Sequence, residues 1–355
     1  MENNSASDSF LSLRKPCFNS TNPIWLASTV SIKRNIEKFK FPNKLDVERK
    51  KQIINLVGKD HLSPPQLSNP KLLKAEELSS NDKEFLTEHF LTTANFYQAG
   101  AGEAFIIDDT GEVITIFNLV DHLTFYTIDT KGDLEAAWNR VVRLENSLGE
   151  NLTYSASQKF GFLTSSLEQC GTGLEVTTFL QLSALLHLEK IDSILEQEAD
   201  DSFLVMGMQG SPTEIIGDVF AIQNNYTLGL TEEKIISSVY SLTSKLIREE
   251  RSTRDQIRHS KNPMIIDKVS RAFGILLYSY YFEPIEALNA LSLFKLGINL
   301  EWISGITEEE LNRVFFNSRR AHLLSQFTEK ISQDEILHKR AEYIHKALNN
   351  VKLLV

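Results

Sequence analysis

The spacing of apolar residues changes along the chain, and each change predicts a different kind of element. From Leu45 to about Leu91 apolar positions recur at helical spacing but are interrupted by Pro64, Pro65 and Pro70, which predicts short helices and loops. Between Ala104 and Ile128 the period shortens to two: AFIID, a DDTG turn, EVITIF and LTFYTI are β-branched and aromatic runs around turn residues, the pattern of an antiparallel meander. Leu134, Trp138, Val141, Leu144 and Leu148 form a helical stripe, and 176–182, 203–208 and 219–223 read as further strands. Thr231 followed by Glu232 and Glu233 marks a capped helix start, with Ile235, Val239, Leu242 and Leu246 as its buried stripe. A charged stretch, REERSTRDQIRHSKN at 248–262, follows, and beyond it only helices are predicted. Phe273, Leu276, Leu277 and Tyr280 mark one, Thr307 with Glu310 and Ser332 with Glu335 are capping boxes, and Leu337, Ala341, Ile344 and Leu348 mark the last. The expected fold class is α+β: one mixed sheet with flanking helices, then an all-α C-terminal domain, with the charged stretch as the boundary.

Composition narrows the function classes. The 355 residues suffice for a large core, and 42% apolar and 24% charged content is ordinary for a soluble globular protein. A net charge of −10, from 37 basic and 47 acidic residues, argues against nucleic acid as a partner, because phosphate contacts need clustered Lys and Arg. Cys17 and Cys170 lie far apart without CxxC spacing, so neither a disulfide framework nor a zinc site is expected and a reducing cytoplasm fits best. No apolar run approaches membrane-spanning length, and the Ser/Asn-rich N-terminus has no signal-like apolar core. Residues 1–20 read as a mobile arm.

Candidate chemistry centres on LTSSLEQCGTGLEVTT, 163–178, where a Gly-Thr-Gly turn of the kind that brings backbone N–H groups to a phosphate is followed by Glu175. Together with ASTVSIKRNIEKFKFP (27–42), NLVDHLT (118–124), KFGFLTSSLEQCGTGLEVTTFLQLSAL (159–185), MGMQGSPTEIIGDVFAIQNNYTLGLTEEKII (206–236) and KVSRAFGILLYSYYFEPIEALNALSLFKLGINL (268–300), this stretch resembles the phosphagen (guanidino) kinase family, and most closely its bacterial branch, the protein arginine kinases. The resemblance covers nearly all of the chain after the arm. It implies a mainly antiparallel sheet flanked by helices over 21–255, a guanidino-kinase-like phosphotransferase domain, and a helical C-terminal domain over 256–355. It also implies a protein arginine substrate, a zinc-binding activator partner, a link to protein degradation, and a homodimer.

Phosphoryl transfer from ATP to a guanidinium needs several cations on the triphosphate oxygens and Mg²⁺ between them. The positions that the resemblance assigns to five phosphate-binding arginines hold Thr29, Ser31, Thr124, Glu175 and Met206. Charge-assisted hydrogen bonds contribute roughly 1.5 to 3 kcal/mol each, so five amount to about 7 to 15 kcal/mol gross, against about 8 kcal/mol for a micromolar ligand. Val120 and Ser211 stand where the family aligns its substrate with carboxylates, Pro212 stiffens the loop that closes, and Ser166 stands for the reactive cysteine. Cys170, four positions later, is not that thiol. The phosphoarginine pocket of the bacterial branch, an RDxxRA motif, is here Ile336, Leu337, His338, Lys339, Arg340, Ala341: the Arg-Asp pair is gone and Arg340 is kept, leaving some positive charge with its neighbours. Residues that shape the fold, among them Asn118, Asp121, His122, Gly161, Gly171 and Gly173, match the family pattern.

Beside these stand blander readings. Asp121 with His122 reads as structural rather than as an acid/base pair, Cys170 as a small buried hydrophobe, the charged stretch as a solvated helix face, and Tyr278, Tyr280, Tyr281 and Phe282 as core or a dimer seam. The expectation is a cytoplasmic pseudokinase that binds proteins and needs no cofactor. The alternative is an active kinase using ATP and Mg²⁺ through rearranged cations such as Lys33, Arg34 or Lys159. A third possibility is a remodelled pocket for a neutral or cationic ligand.

Overall fold

A computed structural model describes residues 22–61, 67–327 and 331–355; the arm at 1–20, Cys17, Pro64 and Pro65 lie outside the described residues. Strands β1 (Trp25–Arg34), β2 (Lys71–Lys74), β3 (Ala104–Ile107), β4 (Val113–Phe117), β5 (Leu123–Asp129), β6 (Leu174–Gln181), β7 (Phe203–Gly207) and β8 (Val219–Asn224) form one sheet in the order β2-β3-β4-β5-β1-β6-β8-β7. Every pairing in it is antiparallel, whereas the sequence pattern predicts a mixed sheet. The meander and the later strands fall where their β-branched runs predict. Two strands do not announce themselves. β1, the central strand, carries Thr29, Ser31 and Lys33 along one side, which breaks the hydrophobic signal, and β2 is a short KLLK edge whose terminal lysines are typical of an exposed sheet margin.

The helices that matter below are α1 (Val47–His61), α2 (Ser80–His89), α3 (Leu134–Gly149), α4 (Glu232–Ser260), α5 (Pro263–Tyr278), α6 (Pro284–Asn299), α7 (Glu308–Asn317), α8 (Arg320–Leu324) and α9 (Gln333–Ala347). Thr231 caps α4, and both expected capping boxes form, Thr307 with Glu310 on α7 and Ser332 with Glu335 on α9. α4 runs for 29 residues, straight through the charged stretch, and ends at Lys261 in the left-handed region. It does not run as a fully solvated face there: Glu250, Thr253, Arg254 and Ile257 are buried.

The sheet has an apolar cluster on each side. Val30, Ile32, Phe125 and Val176 face Leu144 of α3 and Val239 and Leu246 of α4. On the opposite side Ala27, Tyr126, Phe179 and Ala221 belong to a cluster that includes Phe90, Leu288, Phe294 and Phe315. The C-terminal helices therefore share one core with the second face. Gly217 makes that approach possible: its φ is 62°, and a Cβ there would stand 2.6 Å from the ring of Phe315.

Candidate functional site

Strand register gathers the candidate positions. Thr29 pairs with Thr177 and Ile128, Ser31 with Glu175 and Tyr126, and Lys33 with Thr124; Met206 pairs with Ala221, which in turn pairs with Phe179. Directly opposed residues point to the same side of a sheet and side chains alternate along each strand. Thr29, Ser31, Thr124, Glu175 and Met206 thus share one face of the sheet with Lys33, although they come from four strands. Thr29, Glu175 and Met206 line one small cavity with Thr92, Thr93 and Tyr126. Its volume is about 20 Å³, room for roughly one water, where small-molecule sites run to several hundred.

Sequence reasoning missed how Glu175 is held. Lys33 Nζ lies 2.9 Å from Glu175 Oε2 and 2.5 Å from Gln169 Oε1, while Gln169 Nε2 donates to the same carboxylate at 3.0 Å. This closed network is mostly screened from water, with side-chain exposures of 15% for Lys33 and 22% for Glu175. The signal was available: Lys33 lies two residues beyond Ser31 on β1, hence on the same face as Ser31's partner Glu175. Of the other rearranged cations, Arg34 is already engaged and Lys159 does not line the cavity. Arg34 is buried, donates from Nε to Glu145 at 2.8 Å and from Nη1 to Thr172 O at 2.8 Å, and stacks on Phe162 with its guanidinium carbon 3.6 Å from the ring centre. Burial lowers its pKa, and Glu145 opposes that shift. Lys159 lies over Phe160. Among the described residues, none lining the cavity is a lysine or arginine. The residues lining this cavity do not fit a triphosphate: the nearby ammonium already has a carboxylate, and that carboxylate faces the same space.

The Gly-Thr-Gly turn is built into the scaffold. Gly171 donates to Phe162 O and Gly173 O accepts from Lys33 N, each at 3.0 Å, and Gly173 (φ 64°) leaves only 2.7 Å between a would-be Cβ and Lys33 O.

The acceptor-side positions separate into two places. Val120 is exposed, and its carbonyl accepts from Ser165 Oγ at 2.7 Å, so it stands beside Ser166. Ser211 sits in the 207–214 turn, where its Oγ accepts from Glu214 N at 3.0 Å. Asp121 accepts from Asn35 Nδ2 at 2.6 Å and Ser165 N at 2.7 Å. His122 is fully buried: Nδ1 accepts from Ile36 N at 3.0 Å and Nε2 faces Lys40 O at 2.8 Å, so both ring nitrogens serve the backbone. Burial lowers its pKa, with the Lys40 carbonyl and Asp121 opposing. Cys170 is buried, with its sulfur 3.7 Å from Ser166 O.

At the RDxxRA positions the retained arginine is not available to a ligand. Arg340 is fully buried, donating from Nε to Ser318 O at 2.8 Å and from Nη1 to Phe282 O at 2.6 Å. His338 and Lys339 both turn to Glu342, at 3.1 and 2.8 Å. The positive charge anticipated there is thus already compensated or buried. The neighbouring aromatics also divide: Phe282 is core, but Tyr278, Tyr280 and Tyr281 are exposed.

Two family models match in succession: "ATP:guanido phosphotransferase, C-terminal catalytic domain" over residues 53–253, and "Protein-arginine kinase McsB C-terminal domain" over residues 262–353. The chain belongs to the ATP:guanido phosphotransferase family. Within it, the chain is 31% identical over 326 residues to a protein-arginine kinase of Halothermothrix orenii, covering 92% of this chain and 93% of that one. It is also 31% identical over 330 residues to a protein-arginine kinase of Chlamydia pneumoniae, covering 91% of each. Solved structures agree on the fold. A lombricine kinase superposes with a TM-score of 0.56 at 17% identity, covering 68% of this chain and 69% of that chain. A duplicated taurocyamine kinase from Schistosoma mansoni gives 0.59 at 18%, covering 68% and 35%. The fold, a large antiparallel sheet with a helical C-terminal region, is the one that the resemblance implies.

Proposed function

We propose that this family member is a pseudokinase: a protein-binding scaffold or regulator with the protein-arginine-kinase fold, which neither holds ATP nor transfers phosphate. The observation that carries this reading is the Lys33–Glu175 pair. A face that should present converging guanidinium groups instead carries a carboxylate bonded to its own lysine, with hydroxyls and a thioether around it. A triphosphate entering there would have to break that pair and then face Glu175. The positions for substrate carboxylates, Val120 and Ser211, offer no base. Calorimetric titration of the full chain with MgATP is expected to give no binding tighter than about 1 mM, and incubation with an arginine-rich protein and MgATP no phosphoarginine. Micromolar binding together with phosphoarginine formation would instead establish the second reading, an active protein arginine kinase in which Lys33 has taken over an arginine's work. That reading is favoured by the names of the relatives that are 31% identical over most of the chain.

The scaffold reading extends to partners: a cytoplasmic homodimer that engages a zinc-binding activator protein and the protein-degradation machinery, in a protein quality-control role. The exposed rings of Tyr278, Tyr280 and Tyr281 supply apolar surface suited to such contacts. Among the described residues no helix is long and apolar enough to cross a membrane. Affinity capture from native lysate is expected to recover an activator-type or chaperone-protease component, and light scattering to give twice the chain mass. Recovery of neither component with a monomeric mass would remove this part of the proposal.

A further inference from the structure

A second, larger cavity adjoins the former nucleotide face. Its volume is about 580 Å³, within the range of small-molecule sites, and it shares Leu91, Thr92, Thr93 and Met208 with the small cavity. Its remaining walls come from α2, the segment after it, Gln209 of the 207–214 turn, the start of α6 and the pair Arg319–Arg320; Ile336, Leu337 and Arg340 do not line it. Neither Lys33 nor Glu175 lines it, although it shares four wall residues with the small cavity that Glu175 lines.

Charge inside this cavity is unevenly used. Glu84 is paired with Arg320. Glu88 is held by the start of α8, accepting from Ala321 N at 3.2 Å and His322 N at 3.1 Å, with His322 Nδ1 at 2.8 Å. Both lining carboxylates thus have partners. Arg319 differs. It is 7% exposed, donates from Nε to Phe316 O at 3.1 Å, and places its guanidinium carbon 4.8 Å from the centre of the Phe316 ring. Among the described residues its two Nη groups make no hydrogen bond and no close ion pair, and the residue lines the cavity. Burial lowers its pKa to about 10, and the carboxylate of Glu88 across the cavity opposes that shift without closing to an ion pair.

The start of α6 adds a second source of positive potential. Pro284 and Ile285 line the cavity, and Glu283 at the N-cap makes no side-chain capping bond. The first intrahelical bond there is Ala287 N to Glu283 O, so the N–H groups of Ile285 and Glu286 precede the ladder. Leu91, Met208, Ile285 and Leu288 give the same cavity apolar walls. A guanidinium whose Nη groups bond no described residue and one uncapped helix start suit a single negative charge. The two paired carboxylates disfavour a dianion, and the apolar walls call for a hydrocarbon body.

We propose that this cavity binds a small organic monocarboxylate with an apolar body, its carboxylate received by Arg319 and the first turn of α6. The proposal does not depend on whether the chain transfers phosphate. The test is a calorimetric titration of the full-length protein with 4-phenylbutyrate, in parallel with inorganic phosphate. Phenylbutyrate should bind in the millimolar range or tighter and raise the melting temperature, and phosphate should bind at least about tenfold more weakly. Arg319→Gln should weaken phenylbutyrate roughly tenfold or more. Because that residue is buried and its replacement can unfold the chain, Ile285→Glu is the second variant: the site is 44% exposed and tolerates an acidic residue near a helix start, yet the new carboxylate would repel the ligand. It should weaken phenylbutyrate to a similar degree with the melting temperature of the free protein unchanged. No phenylbutyrate binding at about 10 mM, equal binding of phosphate, or undiminished binding by Ile285→Glu would each overturn the assignment.

Discussion

Replacing Glu250 by alanine should lower the free energy of unfolding by roughly 3 to 5 kcal/mol, the range found when one partner of a buried charge pair is removed. Glu250 has no exposed surface, although it lies in the charged stretch of α4. Its Oε1 accepts from Ala184 N at 3.0 Å and from Arg254 Nε at 2.7 Å, and its Oε2 accepts from Leu185 N at 2.9 Å. Arg254 in turn donates from Nη1 to Asn299 Oδ1 at 2.6 Å and from Nη2 to Gln181 O at 3.3 Å. One ion pair therefore ties α4 to the short helix at Ser183–His187, to the end of β6 and to α6. With the carboxylate gone, two backbone N–H groups and a guanidinium stay in the interior without their acceptor. Glu250→Gln keeps an acceptor but not the charge, so its loss should be intermediate. Arg254→Ala should be as severe as Glu250→Ala, and the double mutant should lose much less than the sum, because each single change strands the other partner. Urea unfolding of the wild type and the four variants measures all of this. Losses below about 1 kcal/mol, or additive ones, would show that the network contributes little.

The same stretch illustrates what was hidden in the sequence. REERSTRDQIRHSKN reads as a solvated face because charged residues are rarely buried without partners, and nothing local reveals that the partner of Glu250 sits one turn later while its two backbone N–H donors, Ala184 and Leu185, lie far away in sequence. Conversely, the meander at β3 to β5 was legible because the alternation is strict and the turn DDTG is explicit. β1 was not, since a strand with Thr29, Ser31 and Lys33 on its cleft face has half of its hydrophobic signal missing. The loss of signal and the candidate site have one cause: polar residues stand on the sheet face that gathers the candidate positions.

For the site, residue identity was readable but compensation was not. The positions Thr29, Ser31, Thr124, Glu175 and Met206 could be named from block-by-block resemblance, and register places them on one face. What the linear chain could not convey was that Glu175 would be neutralised by Lys33 from across β1 and β6, or that Arg340 would be spent on the carbonyls of Ser318 and Phe282. Both are contacts between distant segments. Each alters the chemistry at its position without changing the residue there.

A buried lysine on α6 should respond in the opposite direction to Glu250. Lys295 is 3% exposed, and its Nζ has no hydrogen-bond partner among the described residues. Burial and the like charge of Arg254 push its pKa from 10.5 down to about 7, with Glu308 opposing. Glu308 is itself raised by burial, and one of its oxygens is unbonded while the other accepts from Asn299. This arrangement strains the fold rather than supporting it, so Lys295→Met, of similar length and apolar, should raise stability by about 1 to 4 kcal/mol near pH 7. The sign of the pH dependence follows from the shift. Between about pH 7 and 10.5 the unfolded chain holds the lysine proton and the folded chain does not, so the wild type gains stability as pH rises through that window. Below about pH 7 both states are protonated and the penalty is at its full size. The advantage of Lys295→Met should accordingly be largest at pH 6.5 and nearly absent at pH 10, read from urea midpoints at the two values. A variant less stable than wild type at both pH values would instead mean that Lys295 and Glu308 form a productive buried pair, with the ammonium charged throughout.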